Sequence, residues 1–254
     1  MTAKTTEITI SKLPAAAPCP KERLLKDSEY VPVGREAVQA IFERSGISPE
    51  STVIVYGYAP AYGYWLLKAY GHADVRILNC SRDTWRELGL PWTSVVSSPI
   101  ASSYSLPESD STIRASVSDV QAAVSSSRAT LLDVRSEPEY QGERFWPSGG
   151  MDPIGRAGHI PGARHVALDG VFDERGAFNS RDQLRRVMSH VDLLGDDALI
   201  TYCTIGGRAA TAWYALSELL GRRNVRVYDG SWAQWGRRSD TAVEAAASAV
   251  AQSV

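Results

Sequence analysis

Short apolar runs alternate with longer stretches of helical spacing along this chain. Residues 34–46 (GREAVQAIFERSG) place apolar side chains at helical spacing and end on Gly46, a C-cap residue. Thr52-Val53-Ile54-Val55-Tyr56 then reads as a buried strand, residues 62–70 as a helix closed by Gly71, Val75-Arg76-Ile77-Leu78 as a second strand, and residues 82–88 as a short helix before Gly89. Residues 95–112 (VVSSPIASSYSLPESDST) are rich in Ser and Pro and read as a linker. Beyond them the rhythm restarts. The pattern predicts strands at 129–134, 198–202 and 225–228, a helix over 181–190 with Ser180 as N-cap, and a helix over 209–220 ended by Gly221. Strands alternating with helices at these spacings predict an α/β fold, a parallel sheet covered on both faces.

The two halves repeat. VIVYG (53–57) matches LITYC (199–203), and DVRILNCSRDTW (74–85) matches NVRVYDGSWAQW (224–235). An internal duplication sets the domain count at two, with residues 1–95 as the first unit, 96–112 as the linker and 113–254 as the second. The register of the repeat leaves no place in the first half for counterparts of Asp133 and of the 158–163 segment. The first unit is therefore expected to be truncated at its opening strand, a trimmed domain or the result of a late start.

Composition adds little and excludes much. Hydrophobic residues make up 44% and charged residues 22% of the 254 residues, which is a globular balance; a net charge of −2 points to neither nucleic acid nor an anionic membrane surface. No run approaches a membrane span, and the N-terminal residues lack the continuous apolar core of a secretory signal. Three scattered cysteines do not make a disulfide framework, so a reduced, cytoplasmic setting is expected. The four histidines show no ligand spacing with each other or with the cysteines, and no phosphate-binding or dinucleotide-binding glycine motif occurs; neither a metal nor a cofactor is expected.

The chemistry concentrates in Tyr202-Cys203-Thr204-Ile205-Gly206-Gly207-Arg208-Ala209, where a cysteine leaves a buried strand, crosses a Gly-Gly turn and meets a helix. Successive backbone amides there can point at the sulfur and stabilise a thiolate, and Arg208 adds positive charge at the rim. The alternative is an inert cysteine capping a strand.

Four segments, LLDVRSEPEYQGE (131–143), GHIPGARHV (158–166), CTIGGR (203–208) and NVRVYDGSWAQWG (224–236), resemble those of tandem-domain rhodaneses, the thiosulfate and 3-mercaptopyruvate sulfurtransferases. In the first half the resemblance covers only residues 34–92. It implies two rhodanese-like domains, each a parallel sheet flanked by helices, the first truncated and inactive because Gly57 stands where the second carries Cys203. It also implies that Cys203 is the nucleophile, taking a sulfane sulfur from a small anionic donor and handing it to cyanide, a thiol or a sulfur-carrier protein. Thr204, Ile205, Gly206, Gly207 and Arg208 would cradle the sulfur, and Arg135 would bind the donor's anionic end. Asp133, either an orienting group or a strand-end cap, would stand behind them with Asp229, Ser231, Trp232 and His159. Thr204 and Ile205 replace the basic residues of thiosulfate-preferring relatives, while mercaptopyruvate-preferring relatives lack the closing arginine, so the loop leaves the donor open. Cys80 reads as a small buried residue and Cys19 as incidental. Residues 144–156 (RFWPSGGMDPIGR) form either an excursion over the site or a plain surface insertion.

Two other readings compete. A phosphatase of the same fold needs a longer loop between cysteine and arginine than CTIGGR provides. A non-catalytic interaction module is motivated by the truncated half, whose exposed edge would invite a partner or a homodimer.

Overall fold

The computed structural model describes residues 13–15, 25–96, 99–126, 128–189, 191–192 and 195–245. Cys19, His190 and the tail beyond residue 245 lie outside these residues. The first half contains β1 (Leu13–Ala15), α1 (Arg35–Arg44), β2 (Val53–Val55), α2 (Pro60–Ala69), β3 (Val75–Ile77), α3 (Arg82–Glu87) and β4 (Trp92–Val96). The second contains α4 (Val117–Ser126), β5 (Ala129–Asp133), α5 (Glu137–Tyr140), β6 (Arg164–His165), α6 (Arg181–Val187), β7 (Ala198–Tyr202), α7 (Gly207–Trp213), β8 (Val225–Val227) and α8 (Ser231–Trp235). A wider π-helical turn over Tyr214–Leu219 continues α7.

The second half is built on a parallel sheet of order β6-β5-β7-β8. Its central strand, β7, runs ALITY with all but its first residue buried, as a strand covered on both faces requires. Asp133 pairs in register with Tyr202, so both strands end at the same level and deliver Arg135 and Cys203 to one edge of the sheet. In the first half β2 and β3 pair in parallel, matching β7 and β8. Among the described residues no strand flanks them in the places of β5 and β6; β1 pairs with β4 instead. The first unit is thus shorter than the second, as the repeat implies.

The helices that follow the matching strands, α2 and α7, join the halves. The Tyr64 ring lies 6.3 Å from Trp213 and 4.9 Å, edge-on, from Tyr214, and residues of both halves share one apolar cluster. Helix α2 is buried on nearly every side, which suits a helix sandwiched between two layers. Trp65 at its centre is fully buried, and its indole N–H donates to the Ile113 carbonyl at 3.0 Å. Trp65→Ala is expected to cost about 3–5 kcal/mol of unfolding free energy, read from denaturant midpoints, through the cavity it leaves.

The Ser- and Pro-rich segment is packed rather than free. Its first residues belong to β4, Tyr104 and Leu106 are buried, and the Tyr104 hydroxyl bonds His72 Nδ1 at 2.8 Å. Composition signals a break in secondary structure there but not the two apolar anchors that pin the segment to the first half.

Candidate active site

Cys203 lies one residue beyond β7, 1% exposed, on the wall of a cavity of about 380 Å³. The Gly206 amide donates to its Sγ at 3.1 Å. Gly206 has φ +100°, a left-handed conformation that turns its N–H inward, and a Cβ there would meet the Asp229 carbonyl oxygen at 2.9 Å.

The orientation of the loop follows from what holds its carbonyls. The Trp232 amide donates to the Cys203 carbonyl and the Ala233 amide to that of Thr204, both at 2.9 Å. The Lys26 ammonium donates to the Ile205 carbonyl and also to that of Asp229. Three consecutive carbonyls are thereby tied down outside the cavity. Ser231, at φ +55°, accepts the Cys203 amide at 3.1 Å and donates to the Tyr228 carbonyl at 2.8 Å. A non-glycine residue in that region costs about 1–2 kcal/mol, compensated here by the bonds it makes to the nucleophile's backbone.

A second set of groups braces the far side of the loop. Arg208 makes a two-pronged ion pair with the fully buried Glu139, both contacts at 2.8 Å. Thr204 Oγ1 donates to Glu139 Oε1 at 2.6 Å and accepts from Arg208 at 2.8 Å. Burial pushes the Glu139 carboxyl upward, but Arg208 together with the Thr204 and Ser136 hydroxyls outweighs it and holds the group down at about 2. Burial works against the Arg208 guanidinium too, and Glu139 and the nearby sulfur raise it above its ordinary range. Glu139 also closes a capping box with Ser136 at the start of α5. The carboxylate's second role needs the fold to bring it across to Arg208.

Of the residues expected at the site, Cys203, Thr204, Ile205, Gly207 and Arg208 line the cavity, and Gly206 meets the sulfur. Asp229, Ser231 and Trp232 hold the loop from behind, with Trp232 fully buried. Arg135 does not reach the cavity. It is 0% exposed, pairs with Asp133 at 2.6 Å, donates to the Gly158 carbonyl at 2.7 Å, and lies 4.6 Å from the centre of the Trp232 ring. Through those partners it ties β5 to the 158–163 loop, away from the lining of the cavity. His159 is stacked on Tyr140 at 3.8 Å, bonds the Tyr140 carbonyl through Nδ1, and lines no part of the cavity.

The first half supplies much of the opposite wall. Gly57, Tyr58, Ala59, Asn79 and Cys80 line the same cavity as Cys203, and Pro147 of the 144–156 excursion joins them. Cys80 is half-buried rather than buried, with burial pushing its thiol up, and it faces the same space as the nucleophile. The repeat marks Cys80 only as a partner of Gly230; the facing of the two halves places it here. Among the described residues no group of acidic, histidine or cysteine side chains has the arrangement of a metal site, and no helix is long and apolar enough to cross a membrane.

The family model for a rhodanese-like domain matches residues 116–238. The chain is 39% identical over 214 residues to a Haloferax volcanii protein named "Putative thiosulfate sulfurtransferase", covering 83% of this chain and 74% of that protein. It is 37% identical to the sulfur carrier protein TtuD of Thermus thermophilus, covering 80% and 74%. A Mycobacterium tuberculosis protein, SseA, is 38% identical over 80% of this chain and 69% of its own length. Among solved structures, wild-type EanB superposes with a TM-score of 0.76 at 22% identity, over 89% of this chain and 58% of that one. The anaerobic ergothioneine biosynthesis enzyme of Chlorobium limicola gives 0.75, also at 22% identity. At that identity the likeness shows the fold.

Proposed function

We infer the function from one premise: the chain belongs to the rhodanese sulfurtransferase family. Cys203 is its nucleophile, and the reaction is a two-step transfer through a persulfide. The observation that carries this reading is the amide of Gly206 on Sγ, beneath a cavity from which the loop carbonyls are turned away. A thiolate or persulfide there meets a hydrogen-bond donor and no carbonyl from Cys203, Thr204 or Ile205, and the amide is in place before charge develops on the leaving sulfur.

With thiosulfate, the Cys203 thiolate attacks the outer sulfur, the S–S bond to the sulfonate breaks, and sulfite leaves with the bonding pair. With 3-mercaptopyruvate the C–S bond breaks, the pair goes to carbon, and the thiol proton completes pyruvate. Either route leaves Cys203 as a persulfide, and a thiophilic acceptor such as cyanide takes its terminal sulfur and restores the thiolate. Arg208 is the cavity's cation and takes the donor-facing role expected of Arg135. Because Glu139 already neutralises Arg208, attraction for a doubly charged donor is weaker than two free basic residues would give. Similarity to a protein named as a sulfur carrier supports a protein thiol among the acceptors. The first half, with glycine at the matching position, is non-catalytic and acts as the opposing wall of the cavity.

Intact mass of the reduced chain after separate exposure to thiosulfate and 3-mercaptopyruvate tests this. The expected result is a gain of roughly 32 Da, one sulfur, that cyanide or dithiothreitol removes and Cys203→Ser abolishes. Full sulfur transfer by Cys203→Ser would overturn the assignment.

A further inference from the structure

We propose that Lys26 is a positioning residue for the nucleophile, acting through a single peptide unit. The proposal rests on the role given above to Cys203. Lys26 precedes α1, far in sequence from the loop, yet it is 5% exposed and its ammonium donates to the carbonyls of Ile205 and Asp229.

The Ile205 carbonyl and the Gly206 amide belong to the same planar group, and no described peptide bond is cis. In a trans peptide the C=O and N–H point in opposite directions. The two ends of this one group therefore meet Lys26 on one side and Cys203 Sγ on the other. Two consequences follow. The ammonium fixes the plane: rotation of the 205–206 peptide would aim a carbonyl at the sulfur and break a buried charge-assisted bond. The positive charge also polarises the group, drawing electron density toward the carbonyl oxygen and making the Gly206 N–H a stronger donor. Burial strengthens both effects.

Lys26 also completes a set. The carbonyls of Cys203 and Thr204 are held by amides of α8, which belongs to the same half as the loop. That of Ile205, at the peptide that meets the sulfur, is held from the chain's N-terminal segment. The bond to the Asp229 carbonyl ties the loop to the turn before α8, where the Asp229 carboxylate is paired with Arg114 at 3.1 Å. The Tyr62 ring centre lies 5.9 Å from the ammonium.

The test uses the full chain and three variants: Lys26→Arg, Lys26→Gln and Lys26→Met. Alkylation of Cys203 by iodoacetamide, read at that residue by peptide mass, is followed against pH, with sulfur loading from thiosulfate in a single turnover alongside. The expected result is alkylation of Cys203 at neutral pH several-fold slower in Lys26→Met and Lys26→Gln than in the wild-type chain. Loading should slow by a similar factor, and Lys26→Arg, which keeps the charge, should recover most of both. A general loss of packing would lower the melting temperature without this charge-dependent ranking. If Lys26→Met does not fold, the comparison of Lys26→Gln with Lys26→Arg decides. Identical alkylation profiles in Gln, Arg and wild-type chains would overturn the proposal. Failure of the wild-type chain to load sulfur would count against the sulfur-transfer reading alone, because alkylation measures the positioning of Cys203 without it.

Discussion

Gly206→Ala is expected to lower the rate of sulfur loading by about two to three orders of magnitude, the loss seen when one preorganised backbone or side-chain donor is taken from an enzyme's anion-stabilising site. Gly206 holds φ +100°, where a side chain is strained, and the added methyl would stand 2.9 Å from the Asp229 carbonyl oxygen and 3.1 Å from the Tyr62 ring. Neither neighbour yields easily, since the first is backbone and the second is a buried aromatic packed on Trp65. The cheapest relief is rotation of the peptide before it, which carries the N–H away from Sγ. Single-turnover mass spectrometry and circular dichroism together make the check. The expected outcome is a chain that melts within a few degrees of wild type and loads slowly. Near-normal loading would mean that the Gly206 amide is dispensable.

The second large effect belongs to Glu139→Gln. The carboxyl is held at about 2 against an ordinary 4.5, a depression worth about 3 kcal/mol of stability at neutral pH. Removing the charge also leaves the guanidinium of Arg208 without its counter-ion. For a chain of this size about 3 kcal/mol lowers the melting temperature by roughly 6–12 °C. The sign follows from proton binding. Between 4.5 and about 2 the unfolded chain takes up a proton at this position and the folded chain does not, so stability from Glu139 is complete above that window and lost as pH falls through it. Urea unfolding at pH 7 should separate the two proteins widely. The gap should narrow toward pH 3. A gap that is absent at pH 7 would show that the pair contributes no net stability.

The strands at 129–133 and 198–202, the loop CTIGGR and the internal repeat are legible in the sequence because each is local: an apolar run, a spacing, a match between segments. Glu139, Lys26 and the wall around Cys80 are not, because their roles exist only between distant segments. Glu139 carries a valid helix-start signature that conceals its partner on α7. Lys26 follows Lys21 and Arg23 in a charged stretch, and nothing there announces that it will be buried against residue 205. Arg135 is the reverse case: the resemblance assigns it to the donor, while in the fold Asp133, Gly158 and the Trp232 ring hold it buried and away from the lining of the cavity. The short strands β4 and β6 escape because the first lies at the start of a Ser- and Pro-rich run and the second spans two residues, Arg164 and His165, neither of them apolar.

The peptide beside the sulfur is clamped from Lys26, near the start of the described chain, and the cavity over Cys203 is walled by residues 57–60 and 77–81 as well as by its own loop. These contacts are non-local, linking segments far apart in sequence. A chain opened between its halves therefore keeps the six-residue loop but loses both the Lys26 clamp and the first-half wall of the cavity.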